Sequence, residues 1–380
     1  MMARPLSCTD RWRKPAPRWV PTGRLTPDSW SRWWNAWEIL ADEILQPLLQ
    51  LPRHPLLLAR FGLLALRSAR GLAGRFSSEA ARALIGGLAA HSSLSLEAPA
   101  SGSFALVLGM LGHAVGWPLP RGGAQRISDA LAAHLRGLGG TIETGRAITS
   151  LDGLPAADPI LLDVTAWQAA RLAGGLLPAR WQRTLASFPH GPSVFKIDYA
   201  LDRPIPWKAE ACCEAATIHL GGTFDEIAAA ERDVSRGGTP ARPFVLLAQP
   251  TICDPSRAPA GGNIAWAYCH VPRGSTVDMT SAIEAQIERF APGFSRGVLA
   301  RHVSRPPDLQ ASNANLDGGD ITGGGCDLWH LLARPVPSFN PYRLGRTHLY
   351  LCSSSTPPGG GVHGMCGYQA ARRVLSACEM

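Results

Sequence analysis

Three glycines near the end of the sequence, Gly359, Gly361 and Gly364, have the clearest potential for chemistry. Their G-x-G-x-x-G spacing follows an apolar run typical of a strand and opens a helix, which is the setting of a dinucleotide-binding turn. Glycines let the backbone approach a ligand, and the first N–H groups of a helix attract negative charge. The turn indicates a site for a phosphate or for the electron-rich pyrimidine edge of a flavin. A glycine-rich turn without a ligand is the alternative.

The complete dinucleotide fingerprint needs more than these glycines. It requires a βαβ unit and an acidic residue about 20 residues further on, which binds the ribose hydroxyl. The sequence stops at Met380, so this turn is not predicted to be the first turn of a Rossmann fold.

The elements around the turn follow from hydrophobic spacing. Helical periodicity, with a tryptophan-rich face expected to pack on a core, predicts helices over Asp28 to about Leu51, 54–72, 77–92 and Ser101–Val115. A glycine turn at Gly122 and Gly123 then opens another helix, which Gly139 and Gly140 end. The short runs that follow predict strands at Thr141–Thr144, Ala147–Leu151 and Ile160–Val164. This part of the chain therefore indicates an α/β unit.

The second half of the sequence mixes short strands with a helix. Alternating apolar residues predict the strands Val194–Leu201, Ala216–Leu220, Phe244–Gln249 and Ile264–His270, and a helix at Thr280–Phe290. This pattern is typical of an α+β layer with antiparallel strands. A last strand at His348–Cys352 and a helix from about Gly364 to Leu375 flank the glycine turn.

Several blocks of the sequence resemble one enzyme family. The segment Leu349–Leu375, with its P-P-G-G-G-V-H-G turn, resembles the C-terminal flavin-binding segment of phytoene desaturase-like FAD-dependent oxidoreductases. The block Pro120–Ile148 resembles the family's internal segment beside the adenine end of FAD. The segments Gly191–Leu201 and Ala265–Pro272 are similar to substrate-domain strands of the bacterial branch. The resemblance extends from about Asp28 to Leu375.

The resemblance implies both a fold and a reaction. The fold would be α/β, an incomplete FAD-binding Rossmann-like domain joined to an α+β substrate domain of the amine oxidase and desaturase type. The reaction would be hydride transfer between an apolar substrate and the flavin, where the cofactor does most of the chemistry. No catalytic side chain is assigned. The cofactor-binding residues would be Gly122, Gly123, Ile148, Ser354, Gly360, Gly361, Val362, His363 and Gly364.

The same resemblance divides the chain into five segments. These are a poorly ordered tail (1–27), a helical part of the substrate domain (28–117), an FAD-domain segment (118–168), the α+β substrate domain (169–317) and a C-terminal FAD-domain segment (318–380).

The sequence departs from the family at its beginning. The family starts with a strand, a G-x-G-x-x-G turn and a helix that hold the FAD pyrophosphate, and none of these precedes residue 28. A truncated, cofactor-free relative that acts as an interaction module, or an inactive gene product, is therefore the alternative to an enzyme.

The composition of the chain limits the kinds of partner that it is expected to bind. The net charge is +8, but the first 25 residues hold six Arg or Lys against one Asp, so no basic face for nucleic acid is indicated. The nine cysteines are odd in number and lack a C-x-x-C pair, which is typical of reduced cytoplasmic thiols rather than of disulfides or a zinc site. No apolar run reaches the length of a membrane span. Peripheral membrane contact stays open, and the sequence indicates no oligomeric state.

A few other polar residues have alternative interpretations. Lys196 could face a flavin, but an ordinary charge on a strand face is favoured. His270 could belong to a substrate pocket, but a hydrogen-bonded histidine of the core or surface is favoured. Asn313 and Asn315 are typical turn residues. No Ser/His/Asp set or metal-ligand spacing stands out in the sequence.

The departure at the beginning of the chain leads to a prediction. The 380-residue chain should be purified with little or no FAD. Each missing N–H contact to the two phosphates would be worth about 1.5–3 kcal/mol as a charge-assisted hydrogen bond. The measurement is the absorbance of flavin in the purified protein, and a yellow protein with stoichiometric flavin would contradict the prediction.

Overall fold

The computed structural model describes residues 36–47, 50–152, 154 and 159–378. Within them the α-helices are α1 (Trp37–Ile44), α2 (Pro55–Ala65), α3 (Ala69–Ala73), α4 (Glu79–Ala90), α5 (Ser101–Ala114), α6 (Gln125–Gly137), α7 (Ala166–Ala173), α8 (Ala179–Ala186), α9 (Phe224–Ser235), α10 (Thr280–Phe290), α11 (Pro306–Ser312), α12 (Leu328–Leu332) and α13 (Met365–Cys378). The strands are β1 (Ile160–Leu162), β2 (Ser193–Leu201), β3 (Thr217–Leu220), β4 (Val245–Ala248), β5 (Asn263–Val271), β6 (Val298–Ser304) and β7 (Leu349–Leu351).

The centre of the molecule is a five-stranded sheet in the order β3-β4-β5-β2-β6. All of its pairings are antiparallel. Side chains alternate between its two faces, so β5 presents Ala267 and Cys269 to one core and Trp266 and Tyr268 to another. The predicted antiparallel α+β layer is therefore confirmed by the structure.

Helices cover both faces of this sheet. On one face, α10 packs its buried Ile283 and Ile287 against the residues of β2 and β5. On the other face, the helices α1 to α5 and α9 form a core that includes Phe224 of α9 and Phe244, which directly precedes β4. This second core holds the helical segment against the sheet, and the turn that follows α4 reaches the end of β5.

A second, smaller sheet carries the glycine turn. Strands β1 and β7 pair in parallel, with Ile160 opposite Leu349 and Leu162 opposite Leu351. Helices α7 and α8 pack on these strands through a separate core. Tyr350 of β7 also contacts Ala370 of α13, so the strand and the helix that flank the glycine turn are packed together.

The predicted strands at Thr141–Thr144 and Ala147–Leu151 are wrong. The structure has irregular chain without sheet pairing there, most of it exposed to solvent. Alternation favours a strand only when a neighbouring strand supplies hydrogen bonds and a packing surface. Among the described residues, no strand pairs with this segment. The helix α6 that precedes this segment lies where it was predicted, but its apolar residues Ile127, Leu131 and Leu135 are exposed.

Other predictions are confirmed with small changes. Helices α4, α5 and α10 have the predicted bounds within two residues. The predicted helix at 54–72 is two helices, because Ser68 caps a new helix by accepting a hydrogen bond from the Gly71 N–H. The helix predicted from Asp28 is described from Trp37 to Ile44. Trp30, Trp33 and Trp34 and the tail 1–27 lie outside the described residues.

The packing of α9 gives a stability prediction. Phe224 is fully buried against α4, and the Arg70 guanidinium lies 5.1 Å from its ring centre. Phe224→Ala should lower the free energy of unfolding by about 3–5 kcal/mol, because it removes buried apolar area and leaves a cavity. Urea denaturation measures the loss. Phe339→Ala is the matched control, since Phe339 is exposed and its substitution should change stability little. Equal effects of the two substitutions would contradict the packing described here.

Candidate functional site

The glycine turn joins β7 to α13 and is open to solvent at its tip. Residues 360–364 are exposed, and the side chain of Val362 is 94% exposed. Helix α13 begins at Met365, so its first N–H groups lie at the end of this turn. The predicted residues Gly360, Gly361, Val362, His363 and Gly364 therefore form a continuous accessible surface at a helix N-terminus, where a ligand with negative charge is favoured.

Serine and threonine hydroxyls fix the base of the turn. The Ser355 hydroxyl is buried, donates to the Gly323 carbonyl at 2.7 Å and accepts from the Ala166 N–H at 3.0 Å. Thr356 donates to the Ser353 carbonyl at 2.7 Å. The predicted residue Ser354 lies against Gly323, where any side chain would collide with its hydroxyl. The turn is thus held firmly against the loop around residue 323.

A buried arginine lies beneath the same turn. Arg334 is 1% exposed, and its Nε and Nη2 atoms have no hydrogen-bond partner among the described residues. A Cβ at Gly359 would lie 2.9 Å from Arg334 Nη1, and Gly359 also has a φ of +107°, so this position requires glycine. The guanidinium also lies 5.8 Å from the ring centre of Phe188. Arg334 was not among the predicted site residues, because only the fold reveals its burial.

An unpaired buried guanidinium is costly. Burial of a charge without a partner costs several kcal/mol, so such groups are paired or meet a ligand. In this structure the guanidinium contacts the Cys326 thiol, yet burial keeps the pKa of Cys326 above its ordinary value, so the thiol supplies no negative charge at neutral pH. The site therefore favours an external group that is electron-rich or negatively charged.

A small pocket lies beside this arginine. Three loops line it: the turn after α4, the segment before β2 and the segment before α12. Its lining residues are Ser92, Ser93, Leu94, Pro189, His190, Gly191, Pro192, Thr322, Gly325, Cys326 and Asp327. Two contacts connect it to the glycine turn, since Cys326 touches Arg334 and the Thr322 carbonyl lies against Gly360. The pocket and the turn are therefore parts of one site.

Polar groups on one wall of the pocket reach a buried histidine. The Ser93 hydroxyl lies 3.4 Å from His270 Nε2, and His270 Nδ1 lies 2.8 Å from Glu231 Oε2. Both side chains of the pair are 3% exposed. Burial alone would lower the pKa of His270, but the charge and hydrogen bond of Glu231 outweigh it and raise that pKa above its ordinary value. The sequence analysis noted His270 but favoured an ordinary hydrogen-bonded histidine, and it found neither Ser93 nor Glu231.

The predicted adenine-end residues lie in another part of the fold. The Gly122 N–H donates to Asp254 Oδ2 at 2.6 Å, and the Arg257 guanidinium occupies the space beside Gly123. Ile148 lies in the exposed irregular chain after α6 and is 40% exposed. The structure shows no contact between these residues and the glycine turn, so their role at the far end of a ligand stays a prediction.

Two further polar residues behave as ordinary structural groups. Lys196 pairs with Asp198 on the same face of β2, which agrees with the favoured interpretation of a strand-face charge. Asn315 accepts a hydrogen bond from the Thr165 N–H at 2.9 Å and thereby ties the loop after α11 to α7. In the part of the chain that the structure describes, no helix has the length and apolarity to cross a bilayer, and no cluster of side chains could hold a metal ion.

Comparison with known proteins identifies the fold. No family model matches the chain. It is 30% identical over 345 residues to the mouse (Mus musculus) pyridine nucleotide-disulfide oxidoreductase domain-containing protein 2, covering 79% of this chain and 59% of that protein. It is 26% identical over 148 residues to the 4,4'-diapolycopen-4-al dehydrogenase of Metabacillus indicus, covering 36% and 28%. A solved structure of a putrescine oxidase bound to putrescine matches 96% of this chain and 78% of the oxidase, with a TM-score of 0.56 and 15% identity.

These similarities confirm the predicted fold, which is that of the FAD-dependent amine oxidases and related oxidoreductases. They also support the predicted relationship to the superfamily of FAD-dependent oxidoreductases. The chain spans about three-fifths of the length of the mouse protein. The phytoene desaturase branch that the motifs suggested is a finer assignment and stays a prediction.

The unpaired guanidinium leads to a prediction for the flavin-free chain. Arg334→Met should leave the free energy of unfolding unchanged or raise it by about 1–4 kcal/mol, because it fills similar volume without a buried charge. Arg334→Ala removes the same charge but leaves a void and should be less stable than Arg334→Met. Thermal or urea unfolding of the two variants measures the difference. A large loss of stability in Arg334→Met would show that the guanidinium has protein partners.

Proposed function

We propose that this protein is a flavin-dependent oxidoreductase that transfers hydride between an apolar substrate and FAD. The observation that carries the proposal is Arg334, a fully buried cation with two unpartnered nitrogens directly beneath an exposed glycine turn. The proposal includes the phytoene desaturase-like branch, the domain boundaries drawn from the sequence and a cytoplasmic location. The non-catalytic interaction module remains the alternative.

The residues around the turn fit the pyrimidine edge of a flavin. The N-terminus of α13 and the Arg334 guanidinium both direct positive charge toward residues 359–364. FAD held there by these residues would supply the acceptor for a hydride, and its pyrimidine edge would carry the negative charge that the reaction adds. Positive groups fixed in place before the reaction stabilise such a charge without reorganisation. Arg334 and the helix terminus would hold that edge, and the exposed Val362 would cover the ring.

The pocket beside the turn supports an apolar substrate. Leu94, Pro189 and Pro192 supply an apolar part of its wall, beside the polar residues Ser92, Ser93, His190, Thr322 and Asp327. The similarity to a diapolycopenal dehydrogenase agrees with an apolar substrate, although it extends over only 36% of this chain. The polar groups in the wall would orient the reacting end of the substrate.

The proposal predicts that Arg334 is needed for flavin binding. The 380-residue chain, titrated with FAD to millimolar concentrations, should bind it weakly but saturably, as followed by quenching of flavin fluorescence. Arg334→Met should weaken this binding at least about tenfold, because it removes the fixed positive charge beneath the turn. The Arg334→Met variant should remain folded, because the Nε and Nη2 atoms of the guanidinium make no hydrogen bond within the described part of the protein that the substitution could remove.

A matched control is available for this experiment. Arg203→Met removes one positive charge from the surface, where Arg203 pairs with Asp202, and should leave FAD binding unchanged. No saturable binding of FAD to the unmodified chain would contradict the proposed function. Equal binding by the unmodified chain and Arg334→Met would show that the flavin does not lie over this turn.

A further inference from the structure

The buried pair of His270 and Glu231 is connected to the pocket through Ser93. His270 lies on β5, Glu231 on α9 and Ser93 in the turn that follows α4. Ser93, whose hydroxyl lies 3.4 Å from His270 Nε2, is one of the residues that line the pocket, whereas the side chains of His270 and Glu231 are each 3% exposed. A proton could therefore pass between the pocket and the pair through one serine oxygen. The distance is long for a hydrogen bond, as is common for proton-transfer groups in ligand-free structures.

The backbone at Ser93 supports a functional role. Ser93 has a φ of +55°, a left-handed conformation that a serine without a special reason seldom adopts. The fold holds it there through the N–H of Ser93, which donates to the Ala90 carbonyl at 2.9 Å, and through the Ser92 hydroxyl, which accepts from the Leu94 N–H. Strained residues of this kind cluster at active sites. In this conformation the Ser93 hydroxyl lies near His270, and Ser93 lines the pocket.

The other titratable groups near His270 leave it as the proton acceptor. His91, at the end of α4, has its pKa lowered to about 4 by burial and by the charge that His270 carries when protonated. His219 on β3 contacts His91 at 2.9 Å, and burial lowers its pKa to about 3. Burial raises the pKa of Tyr268 on β5 to about 12. All three side chains are uncharged near neutral pH, so Glu231 supplies the charge that faces His270.

We propose that Ser93, His270 and Glu231 form a proton relay that serves the pocket. In this arrangement Glu231 orients His270 and stabilises its protonated ring, His270 exchanges a proton with Ser93, and the Ser93 hydroxyl contacts the substrate. Ser93 is thus the catalytic residue of the three, and His270 and Glu231 are positioning residues that act through it. The same geometry of carboxylate, imidazole and hydroxyl activates serine in unrelated hydrolases.

The relay rests on the proposed function. It supplies the acceptor for the proton that dehydrogenation releases. Dehydrogenation removes a hydride and a proton from neighbouring atoms of the substrate, and FAD held at the glycine turn would supply the acceptor for the hydride and its two electrons. The neighbouring atom loses its proton to the Ser93 oxygen, whose own proton passes to His270 Nε2. The substrate gains one double bond, the ring of His270 becomes positively charged, and Glu231 balances that charge. Solvent takes the proton when the substrate has left.

The relay can be tested without flavin or substrate. Methanesulfonyl fluoride is a small probe that modifies a serine when a nearby base takes the hydroxyl proton: the S–O bond forms, the S–F bond breaks and fluoride leaves. We expect one methanesulfonyl group on Ser93, located by mass spectrometry, at a rate at least about 100-fold above that of N-acetylserinamide. The rate should rise with pH through the pKa of His270, which Glu231 places above the ordinary value of 6.5.

Variants separate the relay from a purely structural role. In Glu231→Gln the midpoint of the pH profile should move below 6.5, because burial then acts on His270 without a compensating charge, and the limiting rate should fall. His270→Gln should lose about 100-fold in rate, and Ser93→Ala should not be modified at this site. Glu97→Gln is the matched control, since Glu97 pairs with Arg70 and Arg232 rather than with a histidine. Circular dichroism confirms that each variant is folded.

Three outcomes would overturn the relay: no faster modification of Ser93 than of N-acetylserinamide, a rate that does not change with pH, or an unchanged midpoint in Glu231→Gln. The first two use the unmodified protein, so they hold even if a variant does not fold. Failure of the relay would leave flavin binding at the glycine turn untouched. Absence of flavin binding with a reactive Ser93 would instead contradict the proposed function alone.

Discussion

The candidate site depends on one unsatisfied interaction, the buried charge of Arg334. Its guanidinium is enclosed by Phe188, Cys326 and Gly359, which belong to three separate stretches of the chain. A protein that only needed packing at this position would be as stable with an apolar side chain. The arginine also restricts its neighbours, because the position above it accepts only glycine. The shape of the turn and the electrostatics of the site therefore have a common origin in this side chain.

The central sheet determines what faces the pocket. Strand β5 alternates strictly, so its odd-numbered residues 265, 267 and 269 enter the core under α10, while Trp266, Tyr268 and His270 face the helical segment. A shift of one residue in its pairing with β2 would bury His270 among aliphatic side chains instead. The nine-residue register between β2 and β5 thus places His270 beside Glu231 of α9 and beneath Ser93. Helix α9 packs onto α4, and this contact completes the arrangement of Glu231, His270 and Ser93.

Local signals in the sequence explain which predictions are confirmed. The helices α4, α5 and α10 and the long strands β2 and β5 have periodicity and end signals within their own residues, so each could be predicted separately. The strands predicted between Thr141 and Leu151 were wrong because a strand depends on a neighbour, which the local sequence does not contain. The relay could not be predicted for a related reason. Ser93 and His270 are 177 residues apart, and three different elements position the three side chains.

In the proposed reaction, one half of the site would stabilise a negative charge and the other half would accept a proton. Hydride transfer to a flavin creates negative charge on one side of the substrate and releases a proton on the other. The glycine turn offers a fixed positive environment through Arg334 and the N-terminus of α13, and the opposite wall offers a carboxylate behind an imidazole. Arg334 and the pair of His270 and Glu231 are buried, and electrostatic interactions are stronger there than at the surface. The pocket is linked to Arg334 through Cys326 and to His270 through Ser93, so in the proposed reaction one group near it would stabilise an anion and the other would accept a proton.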